Sequence, residues 1–340
     1  MSNEPHWTEP GVYPVADGVH RIPLPLPMDG LRAVNVYVIE TDSGLTCVDG
    51  GWAIEVSRTQ LDASLRSFGY DVRDIRRFLV THAHRDHYTQ AIAIRRELGI
   101  AEVGLGLGEK PTIDLINGDM TEDPTVARLD LAGAAAVAEE WRAMTHGVRP
   151  ELLDYAGPDT WFSDDEAISV GVRSLRAVAT PGHTQGHFVF ADEADGLLFA
   201  GDHVLPTITP SVGFEPAYAE NPLGDYLDSL VKVRSLPDLR VLPAHGAVTA
   251  SSHARVDELL VHHDERLDLC LAAVAAGRAT AYDVAAELPW TRHGRAVAEL
   301  DLFNKAMAAM ETMVHLDLLA ARGRLTREVV EGVAAYSLAD

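Results

Sequence analysis

Three histidines fall within the six residues from His82 to His87, with Asp86 directly before the last of them. In an H-x-H-x-D-H run, His82 and His84 leave an extended segment on the same side, because successive side chains of a strand alternate. Asp86 and His87 then leave the turn that follows, so the run feeds two adjacent cation positions. Imidazole and carboxylate ligands suit zinc, iron, manganese or cobalt. One short run cannot complete two coordination shells, and further ligands are expected downstream at strand ends. They are His183 in T-P-G-H-T, Asp202 in F-A-G-D-H and His245 in L-P-A-H-G. Two cations roughly 3.5–4 Å apart can share a water, lower its pKa toward neutrality and polarise the scissile carbonyl or phosphoryl oxygen. The hydroxide generated there is the attacking reagent, so no nucleophilic Ser or Cys is required.

Elements that could hold these groups alternate along the first half of the chain. Ala33 to Glu40 and Leu45 to Val48 are apolar and rich in β-branched residues, with the turn Asp42-Ser43-Gly44 between them. Ile54 to Phe68 has helical apolar spacing and stops at Gly69. Arg77 to Val80 reads as a buried strand that delivers the chain into the histidine run, and a helix is predicted from about Gln90 to Leu98. Strand signals vanish over residues 109–165, where Pro124 to Thr145 reads as one alanine-rich helix; Trp141, Met144 and Trp161 of this segment could form an apolar lid. Strands return at Val172 to Ala179, Phe188 to Ala191, Leu197 to Ala200 and Arg240 to Leu242, and the first, third and fourth lead into His183, Asp202 and His245. The rest is helical over Ser252–Ala276, Ala281–Leu288 and Val297–Ala321, then closes with a strand pair about Glu331-Gly332. G-L-G-L-G at Gly104, Gly106 and Gly108 reads as a loop after a strand, since no dinucleotide fingerprint surrounds it. His262-His263 reads as a solvated helix face, His203 as a candidate to line the site, and His20, His146, His253, His293 and His315 as ordinary histidines.

The motifs resemble the metallo-β-lactamase-fold hydrolase superfamily over about Ala33 to Gly246, with every ligand position filled. The resemblance implies an α/β chain folded as an αββα sandwich. It places a catalytic domain at residues 1–250, with a helical insertion at about 109–165, and a mainly helical, winged-helix-like C-terminal region at 251–340. Carried over residue by residue, it implies that His82, His84 and His183 hold one metal, that Asp86, His87 and His245 hold a second, and that Asp202 bridges them. Two zinc ions are implied, with iron or manganese as alternatives. Asp202 and Asp86 become the catalytic carboxylates, Asp202 holding the ions together and accepting a proton as hydroxide attacks. Asp49 in C-V-D-G-G matches the strand-end Asp that orients ligands by hydrogen bonding. A second resemblance, to the lactamase-like endoribonuclease branch, lies in V-D-E-L-L-V-H-H-D-E-R and G-R-A-T-A-Y-D-V-A-A-E-L. The chain departs from hydroxyacylglutathione hydrolases in carrying Tyr88-Thr89-Gln90 after His87 where small residues are usual, and in having no evident basic C-terminal motif.

Composition narrows the chemistry further. With 340 residues, 47% hydrophobic and 23% charged, the chain suits one large domain or a large and a small one. Its 28 Lys and Arg against 51 Asp and Glu leave a formal charge of −23, which repels phosphate backbones and anionic lipid. Residues 251–340 carry nine Lys or Arg against fourteen Asp or Glu, a poor footing for gripping RNA. The expected activity is therefore hydrolysis of an ester, thioester, lactone or related acyl bond of a small molecule. A phosphodiesterase or endoribonuclease, or an iron-dependent redox enzyme on the same ligands, are the alternatives. Cys47 and Cys270 lie far apart and read as structural, residues 1–14 do not read as a signal peptide, and no run approaches the roughly 18 apolar residues of a membrane span. A cytoplasmic protein without membrane or nucleic-acid partners is the expectation. A homodimer is an option, because superfamily analogues often dimerise.

Overall fold

The computed structural model describes residues 6–27, 30–118, 123–147, 152–291 and 294–339. Residues 1–5, the start of the segment read as no signal peptide, and His293, read as an ordinary histidine, lie outside them.

Two sheets face each other. The first has seven strands in chain order: β1 (Tyr13–Ala16), β2 (Val19–Pro25), β3 (Ala33–Thr41), β4 (Gly44–Val48), β5 (Ile75–Leu79), β6 (Glu102–Gly106) and β7 (Thr160–Phe162). The second has five: β8 (Glu166–Val170), β9 (Arg173–Ala179), β10 (Phe188–Asp192), β11 (Leu197–Gly201) and β12 (Arg240–Pro243), ordered β12-β11-β10-β9-β8. Helices α1 (Glu55–Ser67), α2 (Arg85–Leu98) and α3 (Lys110–Asn117) belong to the first half. α4 (Pro124–Leu131), α5 (Ala135–Thr145) and α6 (Pro222–Arg234) follow, then α7 (Ser252–Ala275), α8 (Ala281–Glu287), α9 (Leu302–Ala321) and the hairpin β13 (Leu325–Val330)–β14 (Val333–Leu338).

The period of two along the strands decides the layering. On β3, Val34, Val36 and Val38 face α1 and α2 through Leu61, Leu65, Ala91 and Ile94, while Tyr37 and Ile39 point between the sheets. On β10 and β11, Phe188, Phe190, Leu197 and Phe199 fill that same inter-sheet layer, whereas Val189, Ala191, Leu198 and Ala200 face outward. The outward set meets α4 to α9 through residues such as Leu129, Tyr226, Leu259, Val284 and Met313. Three apolar layers between four of structure make the αββα sandwich. The C-terminal helices thus share one cluster with the outer face of the second sheet. Among the described residues no helix is long and apolar enough to cross a membrane.

Several sequence expectations need correction. α2 starts at Arg85, not near Gln90, so Asp86 and His87 stand on its first turn; His84, still extended, precedes it, and an acidic residue at a helix N-terminus complements the dipole. Pro124 to Thr145 is two helices broken at Gly133, whose φ of 80° ends α4. The segment 109–165, read as strandless, contributes β7, which pairs in parallel with β6. Gly104 and Gly106 lie within β6, not in a loop. Trp141, Met144 and Trp161 form no common lid: Trp141 is buried under the second sheet's outer layer, Trp161 sits on β7 beside the first sheet's helices, and Met144 is exposed. Helical periodicity shows that a face is apolar without showing which surface it covers.

The burial of Trp141 carries a testable consequence. It packs edge-on to Phe214 at 5.8 Å and donates its indole N–H to Asp123 at 3.0 Å. Trp141→Ala is expected to destabilise the fold by about 3–5 kcal/mol, read as a lower denaturant midpoint. Wild-type stability with an altered KM would return the residue to a lid role.

Candidate metal centre

All seven predicted ligand residues converge where strands of both sheets end. They form two groups, His82, His84, His183 and Asp202 in one, and Asp86, His87 and His245 in the other, with candidate ligand atoms within 4.8 Å of one another in each. β5 delivers His82 and His84, the α2 first turn Asp86 and His87, and the segments after β9, β11 and β12 deliver His183, Asp202 and His245.

Hydrogen bonds behind the rings settle which nitrogen faces inward. The Thr81 hydroxyl donates to Asp49 at 2.9 Å, so it can only accept from His82 Nδ1, 3.0 Å away, and the His82 Nε2 lone pair points into the site. His183 donates Nδ1–H to the Ser211 carbonyl at 2.6 Å and His245 donates Nδ1–H to the Ala33 carbonyl at 2.8 Å. His87 donates Nδ1–H to Asp49 at 2.9 Å. Each of these four rings therefore turns Nε2 inward. In the first group His82 Nε2 and His183 Nε2 lie 2.9 and 3.0 Å from His84 Nδ1. Ligand nitrogens around one tetrahedral zinc, with bonds of about 2.0–2.1 Å, stand a little over 3 Å apart.

Asp202 faces both groups. Its Oδ2 lies 3.5 Å from His183 Nε2, and its Oδ1 lies 3.4 Å from His245 Nε2 and 3.7 Å from His87 Nε2. Asp86 Oδ2 completes the second group, 3.3 Å from His245 Nε2 and 3.6 Å from His87 Nε2. Among the described residues, His87 Nε2, His245 Nε2 and Asp202 Oδ1 are buried without a hydrogen-bond partner. Buried polar atoms left unpaired are costly, and a cation supplies the missing partner for all three. The donor set fits divalent cations.

Electrostatics differs between the groups. Burial pushes His82 well below its ordinary range, His84 down to about 3 and His183 down to about 4, leaving neutral imidazoles with lone pairs to offer. Burial also opposes charge on His87 and His245, but carboxylates prevail: Asp86, Asp49 and Asp202 hold His87 up to about 10, and Asp202 and Asp86 raise His245. A cation entering the second group must displace the proton that His87 holds.

Asp49 stands at the end of β4 with φ of 63°, a conformation that Asp tolerates better than most side chains. Its carboxylate accepts from the Thr81 N–H at 2.8 Å as well as from the Thr81 hydroxyl and His87. Gly50, next to it, lets α2 approach, since a Cβ there would meet the Ala91 nitrogen at 2.7 Å. Asp49→Asn sets an amide N–H against the His87 Nδ1–H, favouring the wrong tautomer, and is expected to weaken zinc binding by about 10–100-fold in a chelator-competition titration. Unchanged affinity would remove Asp49 from ligand orientation.

His187 is a site neighbour that sequence reading passed over. Its Nε2 accepts the Asp202 N–H at 3.1 Å, so its Nδ1–H donates to the Thr180 hydroxyl at 2.8 Å. The available signal was its place four residues after His183 in H-T-Q-G-H. His203 is fully buried outside both groups, its ring 5.1 Å from Tyr226. His263, read as solvated, is buried, with Nδ1 3.2 Å from His315 Nε2, because α9 covers that face of α7.

Residues 29–245 match the metallo-beta-lactamase superfamily. The chain is 29% identical to a beta-lactamase domain protein of Burkholderia ambifaria whose crystal structure superposes with a TM-score of 0.79, over 96% of this chain and 94% of that one. A metallo-beta-lactamase family protein from Thermus thermophilus is 28% identical, with a TM-score of 0.72 over 96% of this chain and all of the other. The lactamase-like protein nscB of Arthroderma gypseum is 30% identical over 183 residues, 54% of this chain and 50% of that protein. The chain spans about half the length of the first curated relatives it matches. With the sandwich, the strand-end ligand set and a match over most of its length, the chain belongs to the metallo-beta-lactamase superfamily.

Proposed function

We propose that this chain is a metal-dependent hydrolase that uses two divalent cations, zinc in both positions, to cleave an ester, thioester or lactone bond of a small neutral or largely apolar molecule. The observation that carries the two-ion reading is Asp202, whose two carboxylate oxygens face different ligand groups. In this reading His82, His84 and His183 hold one ion, Asp86, His87 and His245 the other, and Asp202 lies between them. When bound, two such ions lower the pKa of a shared water toward neutrality and polarise the scissile carbonyl. Asp49, Ser211 and Ala33 keep the imidazole lone pairs aimed inward. Asp202, one edge of its carboxylate unpaired by protein donors, can take up a proton as the acyl bond is attacked. Acyl chemistry is favoured over phosphoryl by the formal charge of −23 and by the acidic balance of residues 251–340. Cys47 and Cys270 are buried free thiols, consistent with a reducing, cytoplasmic setting.

Metal analysis of purified protein combined with a panel of p-nitrophenyl esters, thioesters, lactones and bis(p-nitrophenyl) phosphate tests the proposal. Two zinc ions per chain and acyl turnover above phosphodiester turnover are expected. Faster phosphodiester cleavage, abolished by His84→Ala, overturns the substrate class; iron with redox activity overturns the hydrolytic one.

A further inference from the structure

The G-L-G-L-G run is followed by Glu109, a buried carboxyl that meets Thr184, the residue after the candidate ligand His183. After β6 the chain makes one 3-10 turn over Leu107–Glu109, pressed backbone to backbone against the segment that follows His183. A Cβ on Gly106 would meet the Gly186 carbonyl oxygen at 2.1 Å, one on Gly108 the Gln185 carbonyl oxygen at 2.2 Å, and one on Gly186 the Glu109 nitrogen at 2.2 Å. Only glycine allows that approach. It delivers a carboxyl group, 0% exposed, into the seam between two ligand-bearing loops. Glu109 accepts from the Thr184 hydroxyl, its Oε2 is buried without a hydrogen-bond partner among the described residues, and the backbone N–H groups of Ala83 and Gly186 face the carboxyl. Ala83 lies between His82 and His84, and Thr184 follows His183. From the other side Glu215 accepts from the Gln185 N–H at 3.0 Å and the Thr112 hydroxyl at 2.8 Å, clasping the same loop. The second ligand group is aimed by other atoms, Asp49 and the Ala33 carbonyl.

We propose that Glu109 is a positioning residue that sets the separation of the His82–His84 loop from the His183 loop, and thereby the affinity of the first ligand group alone. This rests on the two-ion reading above. Among the described residues its side chain makes no hydrogen bond to a ligand ring; it acts through the backbone and hydroxyl neighbours of three of them. Burial and the neighbouring Glu215 push its carboxyl up, so the neutral amide of Gln, which keeps an acceptor oxygen, is the conservative replacement.

Zinc titrations of metal-stripped wild type, Glu109→Ala and Glu109→Gln against a chromogenic chelator test this, with melting curves of the metal-free proteins alongside. Glu109→Ala is expected to weaken one zinc equivalent by about 10–100-fold and to leave the other within about threefold, and Glu109→Gln to restore the first. Wild-type affinity for both equivalents in Glu109→Ala overturns the inference. So does equal weakening of both, the mark of general loosening, and so does failure of Gln to rescue. Where the melts show Glu109→Ala unfolded, Thr184→Val, which deletes only the hydroxyl donor, is judged by the same selective weakening. If wild type takes up a single zinc, the two-ion reading fails by itself, and the role of Glu109 stands or falls on whether that ion weakens in Glu109→Ala.

Discussion

Asp202→Ala is expected to lower hydrolytic turnover by about 10³-fold or more and to weaken both zinc equivalents together. Among the described residues of the site, no other side chain has its two oxygens directed to different ligand groups, at 3.5 Å from His183 Nε2 and 3.4 Å from His245 Nε2. On the proposed two-ion reading, its removal would leave each cation one anionic ligand short and the two like charges unscreened from each other. The backbone bond from Asp202 to His187 at 3.1 Å survives the substitution, so the loop stays in place and the loss reports the carboxylate itself. Asp202→Asn keeps the shape without the charge and should fall between the two. Metal content by elemental analysis and turnover on the best ester of the panel are the measurements. Full zinc occupancy with wild-type activity in Asp202→Ala would refute the bridging role.

Stripping the metals is expected to abolish turnover and to lower the melting temperature by several degrees, both reversed by adding zinc. A ligand that binds only the folded state stabilises it by about 4 kcal/mol at a thousandfold excess over its dissociation constant. The stripped protein also keeps His87 Nε2, His245 Nε2 and Asp202 Oδ1 buried without partners among the described residues. The pH dependence has a definite sign. His87, held up to about 10 by Asp86, Asp49 and Asp202 against the opposing effect of burial, carries a proton near neutrality in the absence of a cation, and that proton must leave for metal to bind; the carboxylates shift His245 in the same direction. Zinc affinity is therefore expected to rise with pH through the neutral range. Melting curves that do not respond to metal removal, or an affinity that falls with rising pH, would contradict this account.

The site was legible because its grammar is local. H-x-H-x-D-H follows an apolar β-like run, and the residues leading to His183, Asp202 and His245 follow others. Strands such as β3 and β11 are written as short, nearly continuous apolar runs bounded by turn residues, the pattern of strands buried on both faces. The start of α2 is not legible in the sequence because no side-chain cap marks it: His84 precedes the helix without capping it. The strand that holds Gly104 and Gly106 is not legible because glycine carries no periodic signal, and Gly106 and Gly108 are required by the close approach of the segment around Thr184, 75 residues from Glu109. α5 showed an apolar stripe, but whether that stripe covered the metals or the second sheet depended on surfaces assembled elsewhere.

The residue types, their order and their arrival at strand ends were determined by the sequence alone, since alternation and ligand chemistry act over a few neighbouring positions. Tertiary structure decided which nitrogen of each imidazole faces inward, how far each Asp202 oxygen stands from the two groups, and that Glu109 lies between the loops. Those outcomes turn on hydrogen bonds such as Thr81 to Asp49 and Thr184 to Glu109, whose partners are 32 and 75 residues apart. No local pattern encodes a contact over that separation; only the packing of the two sheets brings the atoms within reach.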